Sequence, residues 1–162
     1  MIEIFNMMLH AREASAQSNC LKRKVGVCIP LYGGEETRWG ANQSGLACTI
    51  CERDTCPALH AEVNAILKAI YEQEERAIDT LYIWAEVSCR ACLSFIKRYS
   101  TVRTIYCLSP ESYFTEYPVI ARRSEEIRQR KIYAAALGIE IIELDREEII
   151  EHELSKHNRG DV

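Results

Sequence analysis

Two short stretches of this chain carry residue types that bind metal: His60-Ala61-Glu62 and, further along, Cys89-Arg90-Ala91-Cys92. One imidazole and two thiolates fill three positions of a tetrahedral zinc ion. Structural zinc sites close the fourth position with a protein atom, whereas catalytic ones leave it to water. A zinc ion held this way lowers the pKa of water from 15.7 to about 7, which supplies a nucleophile at neutral pH. Glu62 stands two residues from His60, close enough to carry protons to and from that position. Taken singly, each feature has a plainer reading: a redox pair, a surface or core histidine, a solvated helix carboxylate. The combination of H-x-E with C-x-x-C, each at a helix start, points to a catalytic metal.

The elements around these residues are consistent with that placement. Cys89 and Cys92 lie three apart, so both sulfurs meet on one face of a helix's first turn, where the dipole favours thiolate. That helix is predicted over 89–99, and His60 opens another over 60–71 with Val63, Leu67 and Ile70 on one face. A first helix is expected within 2–19, from Ile4, Phe5, Met8 and Leu9. Strands are expected at 25–29, 37–41, 81–84, 102–108 and 139–144. Pro118 and Gly138 bound a long helix, and 146–155 reads as a last short one. The order α-β-β-α-β-α-β-α-β implies an α/β fold, a sheet with helices on both faces. Its first two strands would form a hairpin and the later ones would run mostly parallel.

With 162 residues and 48% hydrophobic side chains, the chain is expected to form a single domain over 1–155, followed by a disordered tail at 156–162. A net charge of −4 gives no footprint for long nucleic acid, although a small basic cluster could still hold one phosphate. The N-terminus is too charged for a signal sequence, and no apolar run approaches the ~18 residues of a membrane span. A cytoplasmic protein with reduced thiols is therefore expected, its eight cysteines serving as metal ligands or small core residues.

Several blocks resemble the cytidine/deoxycytidylate deaminase superfamily, and its deoxycytidylate (dCMP) deaminase branch in particular. They are Asn19-Cys20-Leu-Lys-Arg-Lys-Val-Gly26, Trp39-Gly-Ala-Asn42 with Gly45, and His60-Ala-Glu-Val-Asn-Ala-Ile66, within a likeness that runs from about residue 4 to 144. The resemblance implies a three-layer α/β/α sandwich with a mixed five-stranded sheet. It also implies zinc-dependent conversion of dCMP to dUMP, and a homo-oligomer that in many members is a hexamer. By position, His60, Cys89 and Cys92 would hold zinc and Glu62 would shuttle protons. The Ala61 N–H would meet the pyrimidine carbonyl, and Asn42 the base or sugar. Asn64 and Lys24 are further expected substrate-binding residues; Asn42 could instead be a turn residue, and Asn64 a helix amide bonding only its neighbours. For the 5′-phosphate, Arg23 is preferred within the Lys22-Arg23-Lys24 cluster because its fork suits phosphate. Tyr113, on the loop after the fourth strand, resembles the branch's aromatic residue near the nucleotide, with Tyr117 as a rival.

Cys48, Cys51 and Cys56, with Cys20 as fourth ligand, form a candidate second zinc site that would cross-link an irregular loop. Cys28 and Cys107 read as core residues. Two departures stand out. Ser88 replaces the family's usual Pro and is expected to cap the helix at Cys89. Glu86-Val87 is unusual beside the metal and leaves room for a 5-substituted dCMP as substrate. A tRNA adenosine-type deaminase and a deaminase of a free nucleoside or base stay open as alternative functions.

Overall fold

The computed structural model describes residues 1–20, 23–30, 37–42, 59–73, 77–114 and 117–157. In chain order the elements are α1 (Ile2–Ala16), β1 (Gly26–Pro30), β2 (Thr37–Ala41), α2 (Ala61–Gln73), β3 (Thr80–Ile83) and α3 (Arg90–Tyr99). They continue with β4 (Thr104–Leu108), α4 (Pro110–Tyr113), α5 (Tyr117–Ala136), β5 (Glu140–Leu144) and α6 (Arg146–His157). The five strands make one sheet in the order β2-β1-β3-β4-β5. β1 runs antiparallel to both neighbours, and β3, β4 and β5 are parallel.

Strand alternation divides the core into two layers. Val27, Ile29, Leu81, Ile83, Ile105 and Cys107 face Ala65, Ile66 and Ala69 of α2, Leu93 and Ile96 of α3, and Ile127 of α5. On the opposite face Cys28, Tyr82, Trp84 and Leu108 meet Met8 and Ala11 of α1 and Ile149 of α6. The expected α/β/α sandwich is therefore present, and Cys28 and Cys107 are fully buried within it.

Two glycines set how closely the helices lie on the sheet. A Cβ on Gly26 would come 2.0 Å from the Ala11 carbonyl oxygen, and one on Gly40 would come 2.5 Å from the Ala65 nitrogen. Backbone thus packs on backbone, which fixes α1 and α2 against β1 and β2. Gly138, with φ of 74°, ends α5 in the left-handed conformation that glycine adopts without penalty.

Antiparallel β1 has a consequence for function. Its beginning, the end of β2 and the carboxyl ends of β3 and β4 all lie along one edge of the sheet. Ligands of open α/β sheets bind at such a carboxyl edge. Three expectations need correction. The cap of α3 is Cys89, whose sulfur accepts from the Cys92 N–H at 3.5 Å, so Ser88 is not the cap. Tyr113 ends a short helix instead of lying in a loop, because Ser109 caps α4 and Pro110 presets its first turn. Lys156 belongs to α6, which continues past the expected tail boundary to His157.

Candidate metal centre

His60 directly precedes α2, and its carbonyl accepts the first helical bond, from Asn64 N at 3.0 Å. Cys89 and Cys92 open α3. Their helices pack side by side, so three donors from two segments converge. His60 Nδ1 lies 3.2 Å from Cys92 Sγ and 3.7 Å from Cys89 Sγ. Donors on one tetrahedral zinc, with Zn–N and Zn–S bonds of ordinary length, stand about 3.5 Å apart, so the residues fit the ion. Among the described residues this is the one group of His, Cys and acidic side chains placed to hold a metal ion.

The protonation pattern shows what a cation would change. Hydrogen bonding from Cys92, helped by His60 and opposed by burial, holds the Cys89 thiol down to about 3. Cys92 is pushed up, chiefly by its bond to Cys89, then by burial and by the nearby Glu62. The two sulfurs therefore compete for one negative charge. A divalent ion removes the competition by making both thiolates favourable. His60 is raised by its bond to Cys89 against burial, with Glu62 adding to the rise and Arg23 opposing it.

Glu62 is 5% exposed, in the first turn of α2. A solvated helix carboxylate would not be so deep. Buried carboxylates are paired or face a metal, and Glu62 acts electrostatically on both His60 and Cys92. Ala61 is 1% exposed and is the first residue of α2, where an N–H has no intrahelical acceptor.

The remaining expected residues fall out differently. Asn42 Oδ1 accepts from Ser18 Oγ at 2.6 Å and from Val25 N at 2.8 Å, and Nδ2 donates to the Arg23 carbonyl at 2.7 Å. Its oxygen is fully used and at most one N–H is left for a substrate, so the amide chiefly ties the approach to β1 to the end of β2. Asn64 Nδ2 donates to the Ala41 carbonyl at 2.9 Å, which pins α2 to β2. Lys24 is exposed. Arg23 stands with its guanidinium 5.5 Å from the centre of the Tyr113 ring and ion-paired to Glu86. Cys20 is buried, whereas Cys48, Cys51, Cys56 and Lys22 lie outside the described residues.

Sequence reasoning marked Glu86 as unusual but gave it no partner, and it missed Arg130 of α5 altogether. Glu86 lies between Arg23 and Arg130 with 3% of its surface exposed. The available signal was an acidic residue directly after an apolar strand, Leu81-Tyr-Ile-Trp-Ala-Glu86.

A mixed sheet between helix layers, with an imidazole and two sulfurs converging beside a buried carboxylate, defines the class of zinc-dependent deaminases. Residues 1–108 match the family described as the cytidine and deoxycytidylate deaminase zinc-binding region, and the chain belongs to that family. Among solved structures it is similar to the dCMP deaminase of the cyanophage S-TIM5 in apo form. That likeness covers 87% of this chain and 96% of the other, with 26% identity and a TM-score of 0.58. The same cyanophage enzyme in complex with dCMP and dUMP aligns over 85% and 93%, with 26% identity and a TM-score of 0.54. Comparison with curated protein sequences gave no match. No described helix is long and apolar enough to cross a membrane.

Proposed function

We propose that this chain hydrolyses dCMP to dUMP and ammonia. The carrying observation is the convergence of His60 Nδ1 with the Cys89 and Cys92 sulfurs beside buried Glu62. The cyanophage enzyme's complexes with dCMP and dUMP support the choice of substrate. Arg23 and Tyr113, at the same edge of the sheet, support a phosphorylated one.

Zinc bound by the three ligands supplies water acidified enough to attack at neutral pH. Glu62 does the proton work. Its carboxylate takes a proton from the attacking water and delivers it to ring nitrogen N3. It then takes the hydroxyl proton from C4 and gives it to the departing amine. One carboxylate serves all steps because each donor and acceptor lies around the same carbon. The Ala61 N–H at the start of α2 receives the pyrimidine carbonyl, and Arg23 receives the 5′-phosphate through its planar fork. Asn64 keeps α2, and with it Glu62, in place against β2.

A panel of dCMP, deoxycytidine, cytosine and a tRNA separates this reading from its rivals, followed by loss of cytosine absorbance and by inosine formation. Preferred turnover of dCMP is expected. Inosine in the tRNA, or equal activity on deoxycytidine, would refute the assignment.

A further inference from the structure

Arg23, Glu86 and Arg130 come from three separate segments: the approach to β1, the turn between β3 and α3, and the middle of α5. The Glu86 side chain keeps 1% of its exposure and that of Arg130 12%, while Arg23 keeps 36%. The carboxylate thus lies beneath two cations, of which only Arg23 reaches well into solvent. Oε2 of Glu86 accepts from Arg23 Nη2. Oε1 lies 3.6 Å from Arg130 Nη1, which itself donates to the Val87 carbonyl at 3.2 Å. On its other nitrogen Arg130 is held by Glu126.

The pairing between Glu86 and Arg23 uses one oxygen. A carboxylate that engaged both forks of a guanidinium would close it to other anions. Here Arg23 Nε is buried and has no hydrogen-bond partner, and neither has Glu86 Oε1 or the Ser88 hydroxyl next to Cys89. Orphaned buried polar atoms are rare in native proteins, and one common reason is a missing ligand. Glu126 takes the other nitrogen of Arg130, so the cation of the cluster that is open to a ligand is Arg23, at the edge of the sheet that carries the candidate metal ligands. Burial of Glu86 makes that arrangement rigid, because a carboxylate at such depth keeps its cations close.

We propose that Glu86, braced by Arg130, is the positioning residue for Arg23, and that this triad makes the site select a nucleoside monophosphate over the nucleoside. The inference rests on the nucleotide-deaminase reading above. Glu86 grips one corner of the guanidinium and Tyr113 lies against it, so Arg23 meets the phosphate with its remaining donors already ordered. A neutral nucleoside gains nothing from that ordering. Loss of Glu86 would let Arg23 wander, which costs binding of the phosphate and leaves the reacting carbon untouched.

The test compares zinc-loaded wild type, Glu86→Gln and Arg130→Gln on dCMP and deoxycytidine, with metal content measured for each. Glu86→Gln is expected to raise KM for dCMP about tenfold or more, the worth of one charge-assisted hydrogen bond. Its kcat should change less than about twofold, and its kinetics on deoxycytidine and its zinc content should stay as in wild type. Arg130→Gln should move the dCMP KM in the same direction by a smaller factor. A Glu86→Gln protein that keeps the wild-type preference for dCMP overturns the triad alone, as does one that loses kcat equally on both substrates. Should that variant fail to accumulate folded, Arg130→Gln decides by the same ratio, since it leaves Glu86 paired with Arg23. A wild-type enzyme with no preference for dCMP overturns the triad and the nucleotide reading together.

Discussion

In the proposed mechanism Glu62 carries the chemistry, and its depth suits it to that role. A carboxylate 5% exposed beside the candidate metal ligands is shielded from bulk water, so in the proposed reaction it would exchange protons with the reacting groups. Replacing it by Gln keeps the shape and the hydrogen bonding but removes the base. Turnover by Glu62→Gln should fall by roughly 10²–10⁴, the usual worth of general acid–base catalysis, while zinc content stays unchanged. Metal analysis beside a dCMP assay checks both halves; full activity in the variant would end the mechanism. His60 gives a second, pH-dependent expectation. Its bond to Cys89 raises the imidazole pKa in the metal-free protein. That contact therefore stabilises fully below the ordinary imidazole value and fades as pH rises through the raised one. Zinc needs neutral imidazole, so protons compete with it at low pH. The rise in Tm on adding zinc should accordingly grow from about pH 6 to about pH 8. A zinc effect that ignores pH over that range would exclude His60 as a ligand.

At the scale of elements, the site depends on where α2 and α3 start and on how closely α2 lies on the sheet. Cys89 is both a candidate metal ligand and the cap of α3, so the helix end and the thiolate stabilise one another. α2 rests on Gly40, where an added methyl would meet the Ala65 nitrogen at 2.5 Å and the Ala61 carbonyl at 2.7 Å. Those atoms are backbone and have no easy way to yield. Gly40→Ala should cost about 1–3 kcal/mol by overpacking, read by urea unfolding. Because the displaced helix carries His60 and Glu62, zinc affinity should fall along with stability. Unchanged stability and metal binding in Gly40→Ala would show that α2 is not seated as described.

For the molecule as a whole, charge and metal stoichiometry are the measurable consequences. Net charge of −4 gives long nucleic acid little to hold. The second zinc remains a proposal: Cys20 is buried, but its companions Cys48, Cys51 and Cys56 lie outside the described residues. Two zinc ions per chain are expected in wild type and one in Cys51→Ser, by metal analysis. One ion in both would remove the structural site. Homo-oligomerisation, which the family resemblance implies, is open to sedimentation analysis of the same samples.

The amino-acid sequence alone marked the candidate ligand set, its placement at two helix starts and the α/β/α layering. Each of these follows from spacing within one element: three residues along a helix for Cys89 and Cys92, two along a strand for the faces of the sheet. Tertiary structure decided the rest, because partners and depth come from segments far apart in the chain. Arg23 and Glu86 are 63 residues apart, and Arg130 reaches the Val87 carbonyl across 43. No local periodicity encodes such pairings. The same long-range packing buried Glu62 and occupied the amide of Asn42.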